Sequence, residues 1–214
     1  MRILITAGGT REYIDPVRFI SNASSGRMGY ALARAAIKAG HEVTLITTPA
    51  SLRIPEDVHT VKVESAAEMF EAVKKHFEKC DCLIMAAAVA DYTPEKKTKV
   101  KLKKDKSGLT IKLKPTADIL KWVGKHKNES RVTSHEPRIV VGFALEDKNL
   151  RKNAEKKLKE KNLNMIIANS ISAIGNEKST IHIKTAESDW AQIRNKSKTI
   201  IAKNIIQLIE KNIV

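Results

Sequence analysis

The 214-residue chain is poor in cysteine and in aromatic residues, with two of the first and 4% of the second. Each shortage excludes something. Cys80 and Cys82 are one residue apart, too close for a relaxed disulfide, so no disulfide framework is expected and a reducing, cytoplasmic setting is. No run of 18 apolar residues exists, so no segment is expected to span a bilayer. The opening Met1-Arg2-Ile3-Leu4-Ile5-Thr6-Ala7 is too short an apolar run for a secretion signal and reads as a buried first strand. Acidic residues are outnumbered: Lys and Arg total 39 against 24 Asp and Glu, a net charge of +15. Such a surface draws nucleotides, phosphorylated substrates, nucleic acids or acidic membranes without choosing among them. The dinucleotide fingerprint G-x-G-x-x-G and the Walker phosphate loop are both missing. The stretch Ile46-Thr47-Thr48-Pro49 ends the second strand of the parallel pattern with no acidic residue to grip a ribose. The histidines at 41, 59, 76, 126, 135 and 182 are scattered, and no Ser-His-Asp or Cys-His arrangement stands out.

What is present is an α/β pattern. Apolar residues make up 42% and charged residues 29%, ordinary for a globular protein, and the length suits one large domain over 1–214. Strand signals at 2–6, 41–47, 59–63 and 81–88 alternate with helical periodicity at 28–38 and 66–79. That order implies a mainly parallel sheet covered by helices on both faces, a Rossmann-like three-layer fold. A helix at 117–125, a strand at 138–143, a helix at 148–161, strands at 165–168 and 180–184, and an amphipathic helix at 198–212 complete the pattern. Between them, at about 93–114, lysines at 96, 97, 99, 101, 103, 104 and 106 crowd a segment whose Val100 and Leu102, then Leu109, Ile111 and Leu113, alternate with polar residues around Ser107-Gly108. This predicts a projecting, basic β-hairpin.

Several segments carry chemistry. Gly8 and Gly9 follow the first strand, where backbone N–H groups approach phosphates. The run Ser21-Asn22-Ala23-Ser24-Ser25-Gly26-Arg27-Met28-Gly29 opens a helix with capping residues and glycines, leaving N–H donors for an anion; a plain helix cap is the competing reading. Ala86-Ala87-Ala88-Val89-Ala90-Asp91 ends the fourth strand, leaving space near the backbone and an aspartate at a strand's carboxyl end. Lys157 and Lys161, four apart, share a helix face and make a candidate phosphate clamp. Such a site has cations and glycines but no strong nucleophile, which suits a reaction whose substrates supply the nucleophiles.

The strings LITAGGTREYIDPVRFISNASSGRMGYALA, AAAVADY, KLKK, VGFALED and KLKEKNLNMIIAN together resemble the phosphopantothenoylcysteine synthetase (phosphopantothenate–cysteine ligase) family, over nearly the whole chain and more weakly after about residue 170. The resemblance implies a stand-alone form of a domain that, in many bacteria, is the C-terminal half of a bifunctional protein of coenzyme A biosynthesis. It implies a ligase with Mg2+ that activates 4′-phosphopantothenate with CTP, or with ATP, and then joins it to L-cysteine. It implies a homodimer with the flap completing the site across the interface, and neither a membrane nor a nucleic acid as partner. By the same resemblance, Asn22 and Lys101 are the catalytic residues. Gly9, Ser24, Gly26, Gly29, Ala87, Asp91, Lys101, Ala117, Asp118, Ile119, Leu120, Phe143, Lys157 and Lys161 are the nucleotide-binding ones. The chain reads Lys114-Pro115-Thr116-Ala117-Asp118 where the family usually has Asn-Pro-Asp, so its proline is displaced. An NAD(P)-dependent reductase and a basic nucleic-acid-binding module are the competing functions. The missing glycine fingerprint speaks against the first, and scarce aromatics against the second.

Overall fold

The computed structural model describes residues 1–104, 108–129 and 138–211. In chain order the elements are β1 (Arg2–Ala7), β2 (Arg11–Tyr13), β3 (Phe19–Ser21), α1 (Arg27–Lys38), β4 (Glu42–Thr47), β5 (His59–Lys62), α2 (Ala66–Phe77), β6 (Cys82–Met85), β7 (Tyr92–Pro94), β8 (Leu113–Pro115), α3 (Ile119–His126), β9 (Ile139–Glu146), α4 (Leu150–Glu160), β10 (Met165–Ser170), β11 (Lys178–Thr185), β12 (Ala191–Ser197) and α5 (Lys198–Lys211).

Eight strands form one sheet in the order β12-β11-β10-β9-β6-β1-β4-β5. From β5 to β10 every pairing is parallel, while β11 and β12 run antiparallel. β1 and β6 are buried almost end to end, as strands covered on both faces must be. One face is covered by α1 and α5, whose Leu32, Ala36, Ile201, Ile205 and Ile209 meet Ile3, Ile5 and Leu45. The other is covered by α2, α3 and α4, whose Met69, Val73, Val123 and Leu158 meet Leu4, Leu83 and Ile166. The chain moves outward from β1 to β4 and β5, then returns to β6 on the other side of β1. At that reversal the flanking crossovers diverge, opening a crevice beyond the carboxyl ends of β1 and β6. The Rossmann-like expectation is met. No helix among the described residues is long and apolar enough to cross a membrane.

Three local expectations are corrected. The fourth strand ends at Met85 rather than residue 88, because residues 86–90 turn to bond the loop after β1. The helix expected from residue 117 begins at Ile119, with Asp118 as its cap. The two cysteines lie on opposite faces of the sheet, Cys80 on the α2 side and Cys82 on the α1 side. Cys80 lies just before β6, where two-residue alternation does not apply, and its thiol bonds the Phe77 carbonyl at 3.3 Å.

The basic hairpin is the largest departure. Among the described residues its base is paired, β7 with β8, from Tyr92 opposite Pro115 to Pro94 opposite Leu113, and the Glu95 amide donates to the Lys112 carbonyl just beyond. Among the described residues the expected ladder between 100–102 and 109–113 is absent; Lys106 and Ser107 lie outside them. Residues 98–102 instead lie along the loop after β2. The buried Asp15 carboxylate accepts N–H bonds from Val17 and Arg18, both at 2.8 Å, and from Leu102 at 3.1 Å. The Thr98 amide donates to the Ile14 carbonyl at 3.0 Å, and the Arg18 guanidinium donates to the Leu102 carbonyl. A carboxylate with three backbone donors outcompetes a solvated two-stranded ladder.

Candidate functional site

The crevice is built by stitching two loops together. Thr6 and Thr10 are fully buried. The Thr6 hydroxyl accepts from the Ala87 amide at 3.2 Å and the Thr10 hydroxyl from the Ala90 amide at 2.9 Å. Backbone bonds from Ala88 N to Gly8 O and from Thr10 N to Ala88 O complete the seam. The three alanines at 86–88 therefore sit over the end of β1 with little side chain above them. Asn22 joins the same seam: its amide nitrogen donates to the carbonyls of Ala88 and Val89 at 3.2 and 3.3 Å.

One side of the crevice is the start of α1. Gly26 takes a left-handed φ of 75°, and no side chain caps the helix, so its first N–H groups stay available to an anion. A Cβ on Gly26 would lie 3.2 Å from the Gly8 backbone. One on Gly29 would lie 2.5 Å from the Ala7 Cβ and 3.0 Å from the Thr6 carbonyl oxygen. The absence of both side chains lets the helix end rest directly on β1.

The opposite side comes from α3 and α4. Asp118 caps α3 by accepting from the Lys121 amide at 2.9 Å and forms an ion pair with Lys161. Thr116 anchors the approach, its hydroxyl donating to the Ala90 carbonyl at 2.6 Å. The Lys157 ammonium reaches in and donates to the Phe143 carbonyl at 2.8 Å. Burial pulls the Lys157 pKa below the ordinary lysine value, against partial support from Glu146 and Asp91. Burial lowers Lys161 too, with Asp91 opposing.

Together these elements enclose a cavity of about 710 Å3. Of the residues expected at the site, Asn22, Ser24, Gly26, Ala87, Asp91, Ala117, Asp118, Ile119, Leu120, Phe143, Lys157 and Lys161 all line it. Three do not. Gly9 is buried behind it, where a Cβ would meet the Asn22 carbonyl oxygen at 2.9 Å, and Gly29 supports α1 from below. Lys101 stands exposed outside it, on the segment drawn toward Asp15. Sequence reading missed Arg27, Asn169, Ser179 and Lys198, which also line the cavity. Asn169 lies near the carboxyl end of a parallel strand, a position that itself signals a site. Ser179 and Lys198 carry no such signal, because antiparallel β11 and the distant α5 bring them in. Among the described residues no group of three His, Cys, Asp or Glu side chains is gathered for a metal ion.

The DNA/pantothenate metabolism flavoprotein C-terminal domain family matches residues 1–213. The chain is 44% identical over 213 residues to a cysteine/cysteine sulfinic acid decarboxylase from an unknown prokaryotic organism, covering 97% of this chain and 57% of that protein. It is 47% identical over 174 residues to the coenzyme A biosynthesis bifunctional protein CoaBC of Bacillus subtilis, covering 81% of this chain and 41% of that protein. The chain thus spans about half the length of the curated relatives it matches. Among solved structures, the crystallised C-terminal domain of a CoaBC protein superposes with a TM-score of 0.83 at 39% identity, covering 99% of this chain and 95% of that one.

Proposed function

Because the chain belongs to the DNA/pantothenate metabolism flavoprotein C-terminal domain family, we propose that it is a phosphopantothenate–cysteine ligase that spends a nucleoside triphosphate, CTP first among them. The observation that carries this reading is the cavity at the strand reversal, with cations on one side, an uncapped helix start on the other, and no activated nucleophile between them. That is a place for aligning anions. Its likeness to the CoaBC C-terminal domain supports the same reading.

In the first step the carboxylate of 4′-phosphopantothenate attacks the α-phosphorus of CTP. The bond to the β-phosphate breaks, giving the acyl-cytidylate and pyrophosphate. Two anions must meet, so the protein's part is to neutralise charge and fix geometry. Phe143 and the 117–120 segment flank the nucleoside, and Lys157 transfers its N–H from the Phe143 carbonyl to the nucleotide. In the second step the cysteine amine attacks the acyl carbon, CMP leaves, and the amine gives up a proton. Asn22 exchanges one of its two carbonyl partners for the acyl oxygen, holding the intermediate for the amine. Mg2+ supplies charge neutralisation along the phosphates when bound. Asp91 and Asp118 are the carboxylates lining the cavity, and Lys161 is paired with Asp118, so Asp91 would be the residue that holds the ion.

Lys101 acts from a second copy of the chain. Exposed Val17, Phe19, Ile20 and Val100 lie on the β2–β3 hairpin and the segment beside it, an apolar surface suited to a partner. Covering it would bring Lys101 to the neighbour's cavity, where its ammonium steadies the α-phosphate and the leaving group.

The test is incubation with 4′-phosphopantothenate, L-cysteine and each of four nucleoside triphosphates, following pyrophosphate and amide product. Amide formation with CTP and pyrophosphate release before cysteine is added are expected. Carbon dioxide release without amide formation would favour the decarboxylase that one relative's name suggests. With Lys101→Gln no pyrophosphate should appear; undiminished release would remove Lys101 from the first step. With Asn22→Asp pyrophosphate should appear while amide formation falls.

A further inference from the structure

The cavity has a second cationic end, on the α1/α5 side of the sheet, whose two cations carry no role assigned so far. Arg27 opens α1 and Lys198 opens α5, and both line the cavity. They lie close enough for the Arg27 charge, after burial, to depress the Lys198 pKa. Among the described residues neither has a carboxylate partner. The Lys198 ammonium donates to the Asn176 carbonyl, which holds it in place without neutralising it. Two cations kept together without a counter-charge are a standing repulsion that a bound anion removes.

A separate observation points the same way. Ser179 lines this end of the cavity, is only 7% exposed, and its hydroxyl has no hydrogen-bond partner. Buried polar groups are nearly always satisfied, so an orphan at a cavity wall marks a missing acceptor. Beside it, the uncapped start of the 12-residue α1 presents backbone N–H groups. The α3/α4 side contrasts with this, since Lys157 and Lys161 there already have protein acceptors.

We propose that Lys198, Arg27, Ser179 and the α1 start form a phosphate-oxyanion subsite that holds the β- and γ-phosphates of the nucleoside triphosphate and then the pyrophosphate it releases. This rests on the ligase reading for its place in the reaction. The site's chemistry, donors converging on a multiply charged oxyanion, does not. The nucleoside lies on the α3/α4 side and the leaving group across the strand ends from it. The bond that breaks then lies between two separate sets of donors, and the leaving group's charge develops against Lys198 and Arg27. The phosphomonoester of phosphopantothenate is the other source of the same oxyanion.

Calorimetric titration of the full chain with magnesium pyrophosphate, with CMP and with 4′-phosphopantothenate, each alone, tests this. Losing one charge-assisted bond should weaken pyrophosphate binding about tenfold in Lys198→Gln, and losing a neutral donor about threefold in Ser179→Ala. CMP binding should stay unchanged in both variants, and Lys198→Arg should restore pyrophosphate affinity. Unchanged CMP binding also shows that the variants are folded. The proposal is overturned if the wild-type chain does not bind pyrophosphate, if Lys198→Gln binds it normally, or if phosphopantothenate is the ligand that Lys198→Gln loses. Pyrophosphate binding is read without turnover. A chain that binds it through Lys198 yet forms no amide would overturn the ligase reading alone. A chain that forms amide with CTP yet binds pyrophosphate independently of Lys198 would overturn the subsite alone.

Discussion

The two sides of the cavity carry cations in different states. On the α3/α4 side, Lys157 donates to a strand carbonyl and Lys161 is paired with Asp118. On the α1/α5 side, Arg27 and Lys198 both line the cavity, and among the described residues neither is paired with a carboxylate. The first pair is held ready at little cost, whereas the second keeps its charge for whatever arrives. Under the proposed ligase reading the difference suits a split nucleotide, because the half that leaves carries the greater charge and would meet the less compensated side.

The largest expected effect tests whether the sides are structurally separate. Gly29→Val places a side chain against Ala7 and the Thr6 carbonyl and should cost about 3 kcal/mol of stability by urea unfolding. In the fraction still folded, pyrophosphate affinity should fall with the displaced α1 start while CMP affinity stays. Equal loss of both would join the two sides into one unit. Next, Lys157→Gln should weaken CMP about thirtyfold by titration while leaving pyrophosphate within a factor of about two; the reverse pattern would exchange their roles.

A smaller effect concerns pH. CMP binding through Lys157 needs the ammonium form, and burial lowers its pKa below 10.5. Affinity should therefore decline with rising pH before a free lysine would deprotonate, and Lys157→Arg should flatten the profile. The smallest effect is at the flap. Burial works to raise the Asp15 pKa, but the Val17, Arg18 and Leu102 amides and the Arg18 charge outweigh it, so the folded value lies below that of a free carboxylate. A depressed acid contributes fully above the unfolded pKa and loses its contribution as pH falls through the folded one. Protection of the Leu102 amide, its exchange rate relative to the intrinsic rate at the same pH, should thus be constant at neutral pH and fall only under strongly acidic conditions; loss of protection near neutrality would refute the tether.

Much of this was legible in the sequence, and unevenly so. The parallel strands and α1 showed because apolar residues repeat locally at the period of each element. Lys157 and Lys161 showed because they are four apart on one helix. On the α1/α5 side only the glycine-rich start of α1 was signalled; residues 27, 179 and 198 share no local pattern, and the packing of α5 on α1 and the return of β11 bring them together. The hairpin misled for a related reason. Its alternation is real, but Asp15 captures Leu102 from 87 residues away, and alternation carries no record of so distant a carboxylate. β2 and β3, three residues each, are too short for period two to register. β12, with its exposed polar sequence, shows too little contrast between its faces.

Neither Cys80 nor Cys82 forms a disulfide; both are buried, on opposite sides of the sheet, and burial pushes the Cys82 thiol well above its usual pKa. Neither sulfur presents a thiolate to solvent. Under the proposed ligase reading, in which L-cysteine is a substrate, this burial leaves no protein thiolate to exchange with the disulfide form of that substrate.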